Sequence, residues 1–278
     1  MSAAGGGRGK PAAPDPADGP DDAELTPAVR DALAELLLAL ADDELVIGYW
    51  DSEWTGIAPL LEEDVAMSSL ATDEIGHARA FYMLYGDLTG RDPDAVAYDR
   101  RPEDVRHARL VDHPRTDWAF SIARRWLYDT ADAVRLEVLA ASAYRPLAEL
   151  VAKVRREERY HLLHADSWLR RLAHGDAVAR EHIERAWAAL VVDGPSVFTP
   201  LPGEAALVDA GILPVSMDEL AGRWIGSTDA VAVELGLARP GSSTSGSRAN
   251  GRLDHSDDFR WLWSEITSVR RLDPAASW

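Results

Sequence analysis

Cysteine is absent from this chain of 278 residues. Its absence excludes a disulfide scaffold, a thiol nucleophile, and zinc or iron–sulfur sites built on thiolates. Any metal ion must therefore be bound by carboxylate and imidazole groups. Basic residues are also scarce, with 29 Lys and Arg against 47 Asp and Glu and a formal net charge of −18. Such a surface repels a phosphate backbone, so we do not expect nucleic acid as a partner.

Long apolar runs are missing as well. The sequence holds no stretch of 18 apolar residues, so it predicts no transmembrane helix and no membrane partner. Residues 1–24 are rich in Gly, Ala, Pro and Asp and lack the apolar segment of a signal peptide. We interpret them as a disordered tail. The expected location is the cytoplasm.

The remaining residues, 25–278, predict one all-α domain, because apolar residues return with helical spacing almost throughout. Four long helices are expected first, followed by shorter ones, at about 28–50, 59–88, 116–143, 146–173, 177–192, 203–210, 217–235 and 256–272. Residues 239–251 are rich in Ser and Gly and predict a flexible loop. Short breaks within each pair of long helices, and a long connection between the pairs, indicate a ferritin-like four-helix bundle with additional C-terminal helices.

The long helices carry a pattern typical of a di-iron carboxylate centre. Such a bundle needs one Glu from each of two helices and Glu-x-x-His from each of the other two. Residues three apart lie on one helix face, so each motif can point both ligands inward. The second and fourth helices offer one motif each, and the first and third offer one Glu each. The candidate iron ligands are Glu44, Glu74, His77, Glu137, Glu158 and His161.

A carboxylate precedes each Glu-x-x-His, namely Asp73 and Glu157. Either can accept the second ring N–H of a metal-bound imidazole and fix its tautomer. Other interpretations of the ligand set remain open. Glu44 follows two aspartates and could belong to a solvated acidic end. Glu137 could pair with Arg135, and His161 could be an ordinary helix-surface residue.

Several stretches resemble the A and C subunits of phenylacetyl-CoA epoxidase. They include 41–46 (ADDELV), 52–56 (SEWTG), 59–64 (PLLEED), 73–78 (DEIGHA), 157–161 (EERYH), Trp168-Leu169, Arg171-Leu172 and the terminal Trp278. The elements SEWTG and RYH look like the C subunit. The resemblance spans about 25–278, apart from the Ser/Gly-rich loop.

The resemblance implies a role in aerobic phenylacetate catabolism. In that family the di-iron site belongs to the A subunit, which epoxidises the ring of phenylacetyl-CoA with dioxygen. The C subunit is its structural partner, and a reductase subunit supplies electrons from NADPH. The family also implies that C subunits have lost some metal ligands, whereas all six candidate positions here keep ligand chemistry. The resemblance therefore favours a structural subunit that pairs with the catalytic one.

Two other functions are considered. The chain could itself bind two irons and act as a di-iron oxygenase subunit on an aromatic acyl-CoA. It could also store or oxidise iron like a ferritin, but a minimal ferritin needs no extension after the fourth helix. The sequence offers no Gly-x-Ser-x-Gly, phosphate loop or dinucleotide fingerprint for a hydrolase or nucleotide enzyme.

Overall fold

The computed structural model describes residues 25–241 and 252–273. The predicted tail at 1–24, most of the predicted loop at 239–251 and Trp278 lie outside them. Within the described ranges the chain forms eleven α-helices and no strand. They are α1 (Pro27–Ser52), α2 (Leu61–Thr89), α3 (Pro93–Tyr98), α4 (Arg109–Asp112), α5 (Trp118–Leu139), α6 (Arg145–Ala173), α7 (Ala177–Leu190), α8 (Glu204–Asp209), α9 (Met217–Leu235), α10 (Asp257–Ile266) and α11 (Ser268–Leu272).

Capping residues in the sequence explain where the long helices begin and end. The Thr26 hydroxyl accepts a hydrogen bond from Val29 N, and Pro27 takes the first helical position of α1. Asp117 caps α5 in the same way by accepting from Phe120 N. Helix α2 is followed by Gly90, whose φ of 74° lies in the left-handed region that glycine tolerates. These local signals set where each hairpin, α1–α2 and α5–α6, begins and where the first one ends.

The four-helix bundle expected from the sequence is confirmed. Helix α1 packs chiefly on α2, α5 packs chiefly on α6, and α2 also contacts α6. Residues 36–48 of α1 are buried without interruption, so this helix is covered by neighbours on every side. Helix α6 instead buries one stripe and exposes the other, as expected for a helix at the rim of the bundle. No helix in the described ranges is long and apolar enough to cross a membrane.

Buried ion pairs, as well as apolar contacts, join the two hairpins. Asp51 of α1 accepts from Arg124 and Arg125 of α5, at 2.8 and 3.1 Å. Two turns away on α1, Asp43 accepts from Arg135 at 2.6 Å. All five side chains are buried. Charge pairing therefore sets the relative position of α1 and α5. Because these side chains are buried, water could not solvate a charge that a shift of either helix left unpaired.

The structure corrects some of the expected helix boundaries. Helix α5 ends at Leu139, four residues before the expected end, and a short turn follows it. The polar connection at 90–116 holds two short helices, α3 and α4, that were not predicted from the sequence. The expected last helix at 256–272 is divided at Thr267 into α10 and α11. The proposed extent of a single domain, 25–278, stays a prediction.

The C-terminal segment returns to the middle of the bundle. Arg252 donates from Nη1 to Asp43 Oδ1 at 2.8 Å and to Arg106 O at 2.8 Å, and from Nη2 to Val197 O at 2.6 Å. Burial raises the pKa of the Asp43 carboxyl, but Arg252 and Arg135 lower it more, and the net result is a pKa below its ordinary value. Asp43 is thus an anion held between two arginines from distant parts of the chain.

Replacing Arg252 by Ala should remove one of the two cations from a buried carboxylate. We expect Arg252→Ala to lower the free energy of unfolding by about 3–5 kcal/mol. Urea denaturation followed by circular dichroism measures the change. Arg223→Ala is the matched control, because Arg223 pairs with Glu219 on the exposed face of α9 and should cost less than about 0.5 kcal/mol. Equal losses in the two variants would contradict the role assigned to Arg252.

Candidate metal centre

A close approach of α1 and α2 brings the candidate ligands within reach of one another. A Cβ atom added to Gly48 would lie 2.9 Å from the Cβ of Glu74 and 3.3 Å from Ala71 O. Only glycine therefore allows α1 to lie this close to α2. Glu44 lies one turn before Gly48 on the same face of α1. The contact thus brings Glu44 and Glu74 to the same level of the bundle.

Four of the six candidate ligands surround one position. Donor atoms of Glu44, Glu74, His77 and Glu158 all lie within 4.8 Å of one another, and the four residues are buried. The Nδ1 atom of His77 lies 3.1 Å from Glu158 Oε1, 3.7 Å from Glu44 Oε2 and 3.9 Å from Glu74 Oε2. Helices α1, α2 and α6 each contribute to this group. Its three carboxylates and one imidazole are donors that divalent metal ions accept.

The atoms that face this position have no hydrogen-bond partner among the described residues. They are Glu44 Oε2, Glu74 Oε2, His77 Nδ1 and both carboxylate oxygens of Glu158. Buried polar atoms without a partner are rare in folded proteins, and each one calls for an explanation. Here they converge on one place, which a cation would satisfy.

The remaining atoms of the ligands are held by neighbours. Tyr128 donates its hydroxyl to Glu44 Oε1 at 2.8 Å. His77 Nε2 lies 2.7 Å from Oε2 of Glu157, the carboxylate considered from the sequence as its outer partner. With the proton on Nε2, the lone pair of Nδ1 faces the three carboxylates. This is the tautomer that a metal ligand requires.

His161 lies on the other side of Glu74 and Glu158. Its Nδ1 atom is 3.1 Å from Glu74 Oε1 and 3.2 Å from Glu158 Oε1. Its Nε2 atom is 3.3 Å from Asp73 Oδ2, which mirrors the pairing of His77 with Glu157. The structure therefore brings five of the six candidate ligands and both outer carboxylates into one cluster.

Glu137 is the exception, and its assignment as a ligand is corrected here. It is exposed on α5, and it is outside the group of converging donors. The inward face of α5 carries Arg125, Asp129 and Asp132, which are spaced by four and three residues. Glu137 is five residues beyond Asp132, so the helical turn rotates it to a different face. The alternative pairing with Arg135 is also absent from the described ion pairs, because Arg135 binds Asp43 and Asp132.

Arg125 occupies the inward position of α5 at the level of the cluster. It donates from Nη1 to Glu74 Oε1 at 2.5 Å and to Asp51 Oδ2 at 3.1 Å, while its Nη2 lies 2.9 Å from Asp129 Oδ1. Burial alone would lower the pKa of its guanidinium, but Asp129, Glu74 and Asp51 raise the pKa well above its ordinary value. Arg125 is thus a permanent cation among three carboxylates. It was not predicted from the sequence, although its spacing to Asp129 is a recognisable helical ion-pair signal.

Charge crowding dominates the electrostatics of the cluster. Burial and the neighbouring Glu74 carboxylate raise the pKa of Glu44 well above its ordinary value. Burial opposes protonation of His77, yet its contacts with Glu158 and Glu44 raise its pKa to about 12. The pKa of His161 is raised to about 11, because contacts with Glu158 and Glu74 outweigh burial. The carboxylates therefore strongly favour positive charge at their centre.

These residues fit one metal ion better than two. The position between Glu44, Glu74, His77 and Glu158 has its donors in place and unpartnered among the described residues. A second ion beside His161 would need a carboxylate from α5 on that side. The inward side chain that contacts Glu74 there is the guanidinium of Arg125, and guanidinium offers no lone pair to a metal.

A second group of buried titratable residues lies where the C-terminal segment meets α4. His107 Nε2 is 3.1 Å from Asp112 Oδ2, and the His107 and His255 rings stack with centroids 4.3 Å apart. Ser256 N donates to both oxygens of Asp112, and His255 Nε2 lies 3.0 Å from Val105 O. These contacts use most of the donor atoms of the group, and His107 Nδ1 is left without a hydrogen-bond partner among the described residues. The group fastens the C-terminal segment to the bundle, and no pattern in the sequence had predicted it.

The fold and the site together define a class of protein, a helical bundle with a buried centre of carboxylates and histidines. Residues 17–278 match the family model described as "Phenylacetic acid catabolic protein", and the chain belongs to this family. The resemblance found in the sequence is thereby confirmed.

Two curated relatives come from Escherichia coli strain K12, and both are chains of 1,2-phenylacetyl-CoA epoxidase. This chain is 29% identical over 248 residues to the C subunit of that enzyme, a match that covers 88% of this chain and 99% of the relative. It is 24% identical over 218 residues to the A subunit, a match that covers 77% of this chain and 70% of that relative.

Gly48→Ala tests the close approach that assembles the centre. The added methyl group must push α1 away from Glu74, and we expect it to lower the free energy of unfolding by about 1–3 kcal/mol. Gly76→Ala in α2 is the control, because no described atom lies within 4 Å of its added Cβ. Helix propensity should leave that variant unchanged or up to about 1 kcal/mol more stable. Urea denaturation compares the two, and a neutral Gly48→Ala would mean that the helices are not in tight contact.

Proposed function

We propose that this chain is the structural subunit of a multicomponent 1,2-phenylacetyl-CoA epoxidase and pairs with a homologous catalytic di-iron chain in aerobic phenylacetate catabolism. The enzyme is completed by a reductase, and phenylacetyl-CoA is the substrate of the whole complex. We place this complex in the cytoplasm. Similarity to both the A and the C subunits of one enzyme supports the pairing, since related chains of one enzyme commonly share a fold and meet each other. The match to nearly the full length of the C subunit supports the structural role.

The observation that carries the structural role is Arg125. A two-iron oxygenase centre needs carboxylate ligands from all four helices of the bundle. In this chain the buried α5 carboxylate near the centre, Asp129, lies 2.9 Å from the guanidinium of Arg125, which also contacts Glu74, and Glu137 is exposed. Oxidation of the substrate by a pair of irons is therefore assigned to the partner chain.

Exposed apolar side chains offer a surface for the partner. Leu61 and Val65 are one turn apart on α2, and they are 76% and 65% exposed. Tyr160 and Leu163 have the same kind of spacing on α6, and they are 66% and 59% exposed. The two pairs do not form one face, because Glu63 of α2 contacts His164 of α6 at 2.7 Å and Leu61 and Val65 lie on the other side of α2 from Glu63. We call Leu61 and Val65 the α2 apolar pair. Exposed large apolar groups of this kind are typical of protein–protein contacts.

A second candidate function is oxygenation by this chain itself on an aromatic acyl-CoA. The unpartnered donor atoms of Glu44, Glu74, His77 and Glu158 favour it, because they could hold a redox-active metal. The chemistry would then be that of a non-haem iron, which activates dioxygen, with the protein supplying geometry and a dry environment.

Pairing is tested by co-expressing the chain with a homologue of the catalytic A subunit from the same genome. We expect a stable hetero-complex in size-exclusion chromatography with light scattering. The variant Leu61→Glu/Val65→Glu should weaken it at least about tenfold, because charge replaces buried apolar contacts. Val178→Glu/Val233→Glu, at exposed positions on α7 and α9, is the matched control. Absence of any complex would reject the structural role, and equal weakening by both variants would reject the α2 apolar pair as part of the contact.

Activity assays separate the two candidate functions. The chain alone, supplied with reductase, NADPH, iron, dioxygen and phenylacetyl-CoA, should form no epoxide. Adding the catalytic homologue should restore product formation, which liquid chromatography with mass spectrometry detects. Epoxide formed by the chain alone would establish the second candidate and overturn the first.

A further inference from the structure

We propose that this chain binds a single divalent transition-metal ion through Glu44, Glu74, His77 and Glu158, and that the guanidinium of Arg125 takes the place of a second ion. The inference concerns the chain alone, and it goes beyond its proposed pairing with a catalytic partner.

The geometry of the four donors suits one ion. Metal–oxygen and metal–nitrogen bonds of about 2.0–2.2 Å place donors on opposite sides of an ion roughly 4.2 Å apart. The donor atoms here all lie within 4.8 Å of one another. Small side-chain adjustments are sufficient to bring all four to bonding distance.

The buried atoms around this position supply an independent argument. Five oxygen and nitrogen atoms point at it and lack partners in the part of the chain that the structure describes. Buried carboxylate oxygens are rarely left without a hydrogen bond or a bound cation. One divalent cation would coordinate all of these atoms at once, whereas the neighbouring cationic side chains only lie near some of them.

The surroundings orient the donors for an ion. The contact between Glu157 and His77 Nε2, at 2.7 Å, keeps Nδ1 directed at the carboxylates. The Tyr128 hydroxyl occupies Glu44 Oε1 and leaves Oε2 for the ion. Such outer contacts are what a bound metal requires of its ligands.

Arg125 explains why a second ion is excluded. Its Nη1 contacts Glu74 Oε1, the oxygen that also faces His161 Nδ1 at 3.1 Å. Its Nη2 is directed at Asp129, the carboxylate that α5 could otherwise offer on this side. The guanidinium thus supplies positive charge where a second ion would lie, and it contacts Glu74 Oε1 and Asp129 Oδ1, two of the oxygens that such an ion could use.

The donor set identifies the class of ion. Three carboxylates and one imidazole suit Mn²⁺, Fe²⁺ and Zn²⁺, and the absence of thiolate disfavours the softer ions. Mn²⁺ is the best probe, because its electron paramagnetic resonance spectrum distinguishes an isolated ion from a coupled pair.

The first experiment adds Mn²⁺ to the full chain after treatment with a chelator. We expect one Mn²⁺ per chain by elemental analysis and the six-line spectrum of an isolated ion. Glu157→Gln should weaken Mn²⁺ binding about 10- to 100-fold, because a neutral amide oxygen is a weaker acceptor for His77 Nε2–H than the carboxylate. Glu149→Gln is the matched control, because Glu149 is on the exposed side of the same helix and pairs with Arg145. Glu137→Gln should also bind one ion with unchanged affinity.

Variants of Arg125 test the second half of the inference. Arg125→Lys keeps the positive charge and should still bind one ion. Arg125→Ala frees Glu74 Oε1 and Asp129, and it should bind two ions with the spectrum of a coupled pair. If Arg125→Ala does not fold, the number of Mn²⁺ ions bound per chain in the unaltered protein and in Arg125→Lys still tests whether one ion or two is bound.

Each outcome has one meaning. Two coupled ions in the unaltered chain would overturn the role of Arg125. No bound ion in a folded chain, or equal affinity in Glu157→Gln and Glu149→Gln, would overturn the metal site. None of these results depends on whether the chain pairs with a catalytic partner, so failure here is distinct from failure of the proposed function.

Discussion

Charge neutralisation inside the bundle is the constraint on which the rest of the structure depends. Helix α1 is buried on all sides over residues 36–48, yet the helix carries four acidic side chains into the interior, Asp42, Asp43, Glu44 and Asp51. A carboxylate removed from water must find a cation, a proton or several donors. Helix α5 supplies Arg124, Arg125 and Arg135 for this purpose. The positions of α1 and α5 are therefore coupled. The candidate metal centre lies where buried carboxylate oxygens have no arginine partner.

The centre differs from its surroundings in how that balance is reached. Asp51 and Asp43 each have two arginine partners, so the charge of each carboxylate is neutralised by side chains of the protein itself. Glu44 and Glu158 have oxygens with no partner among the described residues. The same helices thus hold two kinds of acidic group. One kind joins the hairpins, while the other remains available to a bound cation.

Much of this arrangement could be predicted from residue spacing. Four long helices and two Glu-x-x-His motifs are local patterns, and they depend only on helical periodicity. Residue spacing could not predict that α5 turns Arg125, and not Glu137, toward the centre. Successive side chains lie about 100° apart around a helix, and the face of α5 that points inward is set by partners far away in sequence. The return of Arg252 to Asp43 is equally invisible to local patterns, since it joins positions 209 residues apart.

That last contact bears on the order in which the protein is completed during synthesis. Asp43 leaves the ribosome first and Arg135 follows, but Arg252 emerges 209 residues after Asp43. Until then α1 must pack with a carboxylate that has one of its two arginines, and pairing over so long a separation is slow. The contact between Arg252 and Asp43 therefore completes the charge pairing inside the bundle only after helices α1 to α9 have been synthesised.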